Sequence, residues 1–206
     1  MKRAIFLLTA ALLFAALPAS DAFTDATSTP LSSHNANWSV LTGSMVIDTN
    51  AVRPTNSFAY SYAVWTGDTW ANDQYAEITI GAIVAITYIG PAVRGSTSTG
   101  SAYMCLAQDS SVTLQKITAG TGSSVSGAVD YVTTINPGDV LRLEASGSNL
   151  TCKLNGATII TGTDSSFTSG NGGIAGFNNG LSLIDSWTSG NLSAGASPRR
   201  KAIVIQ

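Results

Sequence analysis

The sequence predicts an all-β fold in which two sheets pack as a sandwich. Strand-length segments with alternating apolar and polar residues recur along the chain, and turn signals separate them. No stretch of about ten or more residues shows a convincing helical period. A chain with this many strands protects its exposed edges by closing a barrel or by stacking two sheets, and the strand number favours the sandwich.

The clearest pair of strands is the hairpin at 140–155. The turn signal Asn136-Pro137-Gly138-Asp139 precedes it, because proline presets one backbone angle and glycine accepts a positive φ. Alternation on both sides of the loop at 146–149 predicts a pairing that puts every apolar side chain on one face. The predicted opposite pairs are Ala145 and Leu150, Leu143 and Cys152, and Leu141 and Leu154, with Glu144 diagonal to Lys153.

The remaining elements follow from the same two signals. A polar stretch at 24–36 is an opening surface loop, and loops rich in Gly, Ser and Thr cover 96–101, 119–127 and 162–173. Asn155-Gly156 is a further tight turn. The other predicted strands, in chain order, lie at 38–41, 44–48, 51–58, 59–65, 75–80, 83–94 with a break at Gly90-Pro91, 102–108, 112–118, 129–135, 157–161, 174–177 and 181–187.

The N-terminus has the features of a secretory leader. A basic start precedes an apolar run at 4–17 and the small-residue pattern Ser20-Asp21-Ala22. This order predicts a signal peptide at 1–22, cleaved after Ala22, and a mature chain that begins at Phe23. A membrane anchor is the alternative, but the apolar run is shorter than the roughly 20 residues that span a bilayer. The prediction is a secreted, extracellular or cell-surface protein without membrane insertion after cleavage.

Composition limits the domain count and the partners. The formal net charge is −2 and only 11% of the residues are charged, and no patch interleaves basic with aromatic residues, so nucleic acid is not an expected partner. The sequence predicts one sandwich domain at 23–192 and a tail at 193–206. The tail carries Arg199-Arg200-Lys201 and then a short β-type segment, which is either a docking or assembly element or a final edge strand guarded by charge.

The two cysteines, Cys105 and Cys152, both lie in predicted strands. An exported chain meets an oxidising compartment in which a disulfide persists. Pairing requires Cα atoms within about 7 Å, a distance that the sequence does not give, and isolated buried thiols are common. The residues therefore leave open whether the two cysteines are joined.

Short motifs in a fixed order carry a family resemblance. They are Trp38 followed by Gly43, Asn72-Asp73-Gln74-Tyr75-Ala76-Glu77, Gly90-Pro91-Ala92-Val93-Arg94, Ala102-Tyr103-Met104-Cys105-Leu106, Gly138-Asp139-Val140-Leu141-Arg142-Leu143-Glu144, the stretch 150–156, Gly173-Ile174 and Asp185-Ser186-Trp187. Over roughly residues 23–190 this order resembles the concanavalin A-like lectin/glucanase superfamily, specifically bacterial and phage laminin-G-like domains. The resemblance implies a jelly-roll sandwich of two curved antiparallel sheets. The superfamily includes lectins, carbohydrate-binding modules, adhesive domains and glycoside hydrolases, so the fold alone does not choose among them.

The sequence does not indicate a catalytic site. Glycoside hydrolysis normally needs two carboxyl groups across the sugar bond, and the chain has only two glutamates, Glu77 and Glu144. The glucanase branch has a Glu-x-Asp-x-Glu run on one strand, and that run is absent. Both glutamates are better explained as solvent-face strand residues. His34, the single histidine, stands in a polar loop without the neighbours of a catalytic triad or a zinc site.

A cluster of aromatic and polar residues is the candidate carbohydrate site. Flat rings stack on the apolar faces of sugar rings, while nearby Asn and Asp side chains bind the hydroxyls. The alternative is that the rings fill the core and its rim with their polar ends wet. The candidate residues are Tyr60, Tyr62, Trp65, Trp70, Asn72 and Asp73.

Calcium is the candidate metal. The resemblance implies a structural calcium ion between the beginning of the chain and its last strand, where Asp25 and Asp185 stand. Oxygen ligands from carboxylates and backbone carbonyls suit such an ion. Asp185 is equally explained as a residue that caps a loop.

Two functions of different classes follow. The first is an exported, non-catalytic module that binds carbohydrate or another cell-surface polymer. The alternative is a structural or adhesive protein of a cell surface or virion, which self-associates through its sheet edges or its tail and has no small-molecule site. A glycoside hydrolase ranks third because the glucanase run is missing.

Overall fold

The computed structural model describes residues 17–193. One helical turn, α1 (Leu31–His34), accompanies the strands, and no helix in this range is long and apolar enough to span a bilayer. The strands are β1 (Ala19–Asp21), β2 (Trp38–Thr42), β3 (Met45–Ile47), β4 (Val52–Pro54), β5 (Tyr60–Trp65), β6 (Gln74–Ala82), β7 (Tyr88–Gly95), β8 (Ala102–Gln108), β9 (Ser111–Thr118), β10 (Thr121–Ser124), β11 (Tyr131–Val132), β12 (Val140–Ser146), β13 (Asn149–Leu154), β14 (Ala157–Thr163), β15 (Asn171–Phe177) and β16 (Leu183–Asn191).

Within the described residues the strands form two antiparallel sheets of eight strands each. Sheet I has the order β14-β13-β12-β6-β16-β4-β3, and β1 also pairs with β16. Sheet II has the order β10-β9-β8-β7-β15-β5-β2, and β11 also pairs with β9. Neighbours in each sheet are often distant in sequence, so the fold is a sandwich with crossing connections and not a series of hairpins. The all-β prediction is confirmed.

The hairpin β12–β13 has the predicted register. Ala145 lies opposite Leu150, Leu143 opposite Cys152, and Leu141 opposite Leu154, and these apolar side chains are buried except that of Leu154, which is partly buried. On the opposite face, Lys153 Nζ lies 2.8 Å from Glu144 Oε2, the predicted diagonal pair. Local alternation was sufficient here, because a slip of one residue would turn the whole apolar set toward water.

A continuous core lies between the sheets, and the disulfide crosses it. Cys105 on β8 of sheet II is bonded to Cys152 on β13 of sheet I, with Cα atoms 6.0 Å apart. Both cysteines are fully buried. Four tryptophans fill one end of this core, with the Trp187 ring centroid 4.7 Å from that of Trp38, 5.5 Å from that of Trp65 and 6.4 Å from that of Trp70.

Several predicted element boundaries are wrong. β7 runs through Gly90-Pro91 without a break, because Gly90 lets the Cys105 carbonyl of β8 approach so closely that a methyl group would overlap it. The predicted loop at 119–127 contains β10, and the predicted strand at 129–135 pairs only at Tyr131–Val132. The opening loop contains α1.

The predicted domain boundary falls inside a folded segment. Residues 19–21 form β1, and Phe23 is fully buried, although the sequence places the leader at 1–22. The basic start and most of the apolar run lie outside the described residues, as does the tail beyond Ser193.

Candidate functional site

Sheet II is curled so strongly that its two edges approach each other. Thr42, at the end of edge strand β2, lies beside the loop after β7, where a methyl group at Gly100 would overlap Thr42 Oγ1. The same threonine lies near the β9–β10 turn, because a Cβ at Gly120 would be 3.7 Å from Thr42 Cγ2. A methyl group at Gly122 on edge strand β10 would overlap the Tyr60 hydroxyl. The sheet therefore forms a partly closed barrel. The face of sheet II that points away from sheet I lines the inside of this barrel.

That interior holds a second apolar cluster, separate from the core between the sheets. Its buried members are Tyr62, Val64, Ala92, Ala102, Met104, Leu106, Ile117 and Ala175. Leu41, Tyr60 and Tyr88 pack against the cluster and stay partly exposed. The middle of the curled face is thus filled by the protein itself, and only its mouth remains open to a ligand.

Three aromatic rings lie side by side at the mouth, on adjacent strands. The register places Phe177 of β15 opposite Tyr60 of β5 on one side and opposite Tyr88 of β7 on the other. The Phe177 ring centroid is 5.0 Å from that of Tyr60 and 6.3 Å from that of Tyr88. Directly opposed aromatic side chains stabilise an antiparallel pair, so this row is a rigid feature of the sheet.

Two adjoining cavities open at this row, and together they form what we call the aromatic cleft. One has a volume of about 140 Å³ and the other about 460 Å³, and Tyr60 and Phe177 line both. The smaller cavity is completed by Tyr88, Leu106 and Gln115. The larger cavity is completed by Thr42, Gly43, Asn56, Phe58, Ala59, Gly120, Thr121 and Gly122.

The aromatic cleft offers hydrogen-bonding groups but no charge. The Tyr60 hydroxyl donates to Gln115 Oε1 at 2.7 Å and so ties β5 to β9 across the mouth. Burial raises the pKa of Tyr60, which keeps this hydroxyl protonated. None of the lining residues, all of which are described, is an acid or a base. The cleft is therefore suited to an uncharged polar ligand with an apolar face.

Phe58 stands at the rim and is 78% exposed. Its backbone has a positive φ of 50°, and Ile86 in a neighbouring loop has a φ of 69°, values that are unfavourable for bulky residues. Asn178 holds both loops, because its Oδ1 accepts from Phe58 N at 3.1 Å and its Nδ2 donates to Ile86 O at 3.3 Å. A large apolar ring that is exposed to solvent, on a backbone held in a strained conformation, is typical of a binding surface.

The carbohydrate site predicted from sequence does not form as one surface. Tyr62 is fully buried in the second cluster and Trp65 is 6% exposed in the tryptophan core, so neither ring is accessible to a sugar. Trp70 is partly buried against Trp187. Of the predicted aromatic residues, the structure places Tyr60 alone in the aromatic cleft. Tyr62 is inaccessible because the curl of sheet II covers a face that alternation marks only as apolar, and Trp65 is inaccessible because it belongs to the core between the sheets.

Asn72 and Asp73 serve a structural contact instead. The Arg94 side chain, only 1% exposed, donates from Nε to Asn72 O at 2.9 Å and from Nη1 to Phe167 O at 3.2 Å. Asp73 accepts from Gly147 N at 2.8 Å and lies 3.6 Å from Arg94 Nη2. The hydrogen bond from Gly147 is the main reason that the pKa of Asp73 is lowered. These contacts fix loops to one another and engage the Asp73 carboxylate, whereas Asn72 takes part through its backbone oxygen.

The two glutamates lie on the outer face of sheet I with Arg142. Arg142 Nε is 2.8 Å from Glu144 Oε1, and its Nη1 is 3.6 Å from Glu77 Oε2. Burial alone would raise the pKa of Glu144, but hydrogen bonds from Lys153 and Arg142 outweigh it and lower the pKa. A general acid for glycoside hydrolysis needs a raised pKa, so Glu144 is not prepared for that role.

The two predicted calcium ligands take part in different contacts. Asp25 accepts from Ala26 N and from His34, whereas Asp185 is exposed on β16 beside Gly81. Within residues 17–193 no group of three or more His, Cys, Asp or Glu side chains is placed to hold a metal ion. Asp25 and Asp185 do not make a ready ligand set, and calcium stays a prediction of the resemblance.

His34 lies between two carboxylates. Its Nε2 is 3.0 Å from Asp21 Oδ1 and its Nδ1 is 3.3 Å from Asp25 Oδ2. Burial lowers the pKa of His34, but the hydrogen bonds and charges of Asp21 and Asp25 outweigh it, so the pKa is raised above its ordinary value. No role for this histidine is predicted from sequence, because Asp21 and Asp25 lie thirteen and nine residues away from it and no motif spacing marks them as its partners.

This raised pKa predicts a pH dependence of stability. The folded protein holds the His34 proton more tightly than the unfolded chain, so the contribution is fully present below the ordinary pKa of about 6.5 and is lost as pH rises through the raised value. We expect the free energy of unfolding, measured in urea, to fall as the pH rises above about 6.5, and His34→Gln to remove most of that fall. An identical fall in His34→Gln would contradict the assignment.

Known structures with the same fold include several that are named for sugar binding. The carbohydrate binding module CBM66 from Bacillus subtilis has a TM-score of 0.58 and 18% identity, over 75% of this chain and 92% of that chain. The Emp46p carbohydrate recognition domain, in its potassium-bound form, has a TM-score of 0.55 and 12% identity over 84% of this chain and 96% of that chain. The Crh5 transglycosylase has a TM-score of 0.56 and 12% identity over 87% of this chain and 86% of that chain.

No protein-family model matches the chain, and the search of curated proteins found no match. At such low identities the structural likeness establishes the fold and nothing further. The fold is an antiparallel jelly-roll sandwich of two curved sheets, of the concanavalin A-like type.

Proposed function

We propose that this chain is an exported, non-catalytic module that binds a neutral carbohydrate in the aromatic cleft. One observation carries the proposal. A row of aromatic rings meets uncharged hydrogen-bonding groups at the open mouth of an otherwise filled sheet. Sugar rings present an apolar face and a rim of hydroxyls, and aromatic side chains with amide and hydroxyl groups complement both.

The dimensions and the charge of the cleft support this class of ligand. The larger cavity lies within the range of roughly 300–1,000 Å³ that is usual for ligand sites, and the smaller one extends it toward Gln115. The absence of charged side chains among the lining residues favours neutral sugars over uronates and sulfated sugars, because a buried or half-buried anion needs a basic partner. The names of structures with this fold are consistent with sugar binding.

Export and a laminin-G-like type are further parts of the proposal. The Cys105–Cys152 disulfide fits a protein that works in an oxidising compartment, and the N-terminal sequence fits a leader. The order of sequence motifs favours the laminin-G-like type within the superfamily. The engagement of Glu144 by Arg142 and Lys153 supports a non-catalytic role.

An array of oligosaccharides tests the function. We expect the exported protein to bind one or more neutral gluco-, manno- or xylo-oligosaccharides and to show weaker binding to uronate-bearing and sulfated ones. Because no charge takes part, binding should change little with salt concentration. Exclusive binding of acidic sugars, or no binding by protein shown to be folded, would contradict the proposal.

Self-association is the second candidate function, and one surface favours it. Val129 and Val132 are 78% and 82% exposed and flank Tyr131, beside strand β9 of sheet II. Neighbouring exposed apolar side chains of this kind mark contact surfaces. If the protein assembles there, sedimentation should show a dimer or larger species for the natural chain and a monomer for Val129→Ser/Val132→Ser. A monomeric natural chain would exclude this role for the surface.

A further inference from the structure

The segment Ala19–Asp21 belongs to sheet I. β1 pairs antiparallel with β16, with Ala19 opposite Ser189, Ser20 opposite Thr188 and Asp21 opposite Trp187. On its other side β16 pairs with β6, so β1 is attached to a strand in the interior of the sheet. The sequence predicts that these residues end a leader that is removed. In the structure they pair with β16 as a strand of sheet I.

The Asp21 carboxylate is a buried anchor. It is 6% exposed, and it accepts hydrogen bonds from Trp38 Nε1 at 2.8 Å and from Phe23 N at 2.8 Å, with His34 Nε2 at 3.0 Å. Burial of a carboxylate is unfavourable unless its oxygens are hydrogen-bonded, and here both oxygens are. Removal of Asp21 would leave the indole N–H of the buried Trp38 without this acceptor.

Phe23 would be a poor first residue of a folded chain. It is fully buried, and its ring centroid lies 6.0 Å from that of Trp38 and 6.3 Å from that of His34. Cleavage after Ala22 would turn the Phe23 amide, which donates to Asp21, into a charged α-ammonium group and would remove its carboxylate partner at the same time. A new charge placed next to a buried ring without a partner opposes folding.

We propose that export processing retains Asp21: the leader is cut at or before the Ala19–Ser20 bond, so that the mature chain begins at Ser20 or earlier. This inference rests on the proposed export. A signal peptidase hydrolyses one peptide bond with one water molecule, and a cut at this position leaves a carboxylate on Ala19 and an ammonium group on Ser20. The pattern Ser20-Asp21-Ala22 meets the small-residue preference of the enzyme, but the fold needs the residues that such a cut removes.

The first test is the N-terminus of the exported protein. The full chain, with its own leader, is produced in an exporting bacterial host and recovered from outside the cytoplasm. N-terminal sequencing and intact mass should place the first residue at Ser20 or earlier, after loss of the basic start. A protein that begins at Asp21 or later, or one that still begins at Met1, would overturn the proposal.

The second test asks whether β1 contributes to the stability of the fold, independently of export. Asp21→Ala and Asp25→Ala each remove one carboxylate from His34, but only Asp21→Ala removes the acceptor of Trp38 and Phe23. In the full chain we expect Asp21→Ala to lower Tm by about 4 °C or more and Asp25→Ala by about 1 °C or less. Equal shifts would overturn the role of Asp21. A chain that stays in the cytoplasm refutes export alone, because this comparison still decides whether β1 is part of the fold.

Discussion

Phe58→Ala is expected to weaken binding of the neutral oligosaccharide by at least about tenfold, or ~1.4 kcal/mol, with little change in Tm. Phe58 is 78% exposed and contributes little to the core, so removal of its ring should not affect folding. Phe58 stands at the rim of the larger cavity, where a sugar ring that enters would lie against it. Isothermal titration calorimetry gives the affinity, and calorimetric unfolding gives Tm.

Two matched variants make this result specific. Val132→Ala removes another highly exposed apolar side chain, one outside the aromatic cleft, and should leave affinity unchanged. Asn72→Ala changes a residue of the site predicted from sequence, and it should also have no effect, because the backbone oxygen and not the side chain of Asn72 contacts Arg94. Unchanged affinity in Phe58→Ala would show that Phe58 does not contact the sugar. A loss of affinity in Asn72→Ala would instead support the site predicted from sequence.

Removal of the disulfide is expected to give the largest loss of stability. The bond between Cys105 and Cys152 closes a loop across a sequence separation of 47 residues and joins one sheet to the other. Restriction of the unfolded chain by a loop of this size is worth about 4 kcal/mol on the chain-entropy estimate. Cys105→Ala/Cys152→Ala should therefore lower the free energy of unfolding, measured in guanidinium chloride, by roughly 2–5 kcal/mol.

The natural protein treated with a reductant is the control for this variant. Its unfolding free energy should approach that of Cys105→Ala/Cys152→Ala, because both have lost the same covalent link. Equal stability of the natural and variant proteins in the absence of reductant would show that the bond does not contribute in this way.

The sequence was sufficient to predict those features that depend on residues close together in the chain. The β12–β13 register and the Glu144–Lys153 pair depend on alternation and one loop, and both are as predicted. The disulfide was left open because Cys105 and Cys152 belong to different sheets, and alternation within a strand does not give the distance between sheets. β1 was missed because its residues also fit the cleavage pattern of a leader.

The candidate site was poorly predicted because it depends on how sheet II curls. Alternation correctly puts Tyr60 and Tyr62 on one face of β5, but it does not say that this face is covered over Tyr62 and open at Tyr60. Tyr88 and Phe177 stand at the ends of strands far apart in sequence, and they join Tyr60 only through the order β7-β15-β5. Their aromatic character was the available signal, and sheet order was the missing information.

An NMR titration shows whether a neutral sugar occupies the aromatic cleft. Backbone and aromatic resonances of the ¹⁵N,¹³C-labelled protein are followed while the neutral oligosaccharide selected by the array is added. We expect the perturbed residues to cluster around Phe58, Tyr60, Tyr88, Gln115 and Phe177. Perturbations that instead cluster around Trp70, Asn72 and Asp73, or that are absent at saturating sugar, would contradict this expectation.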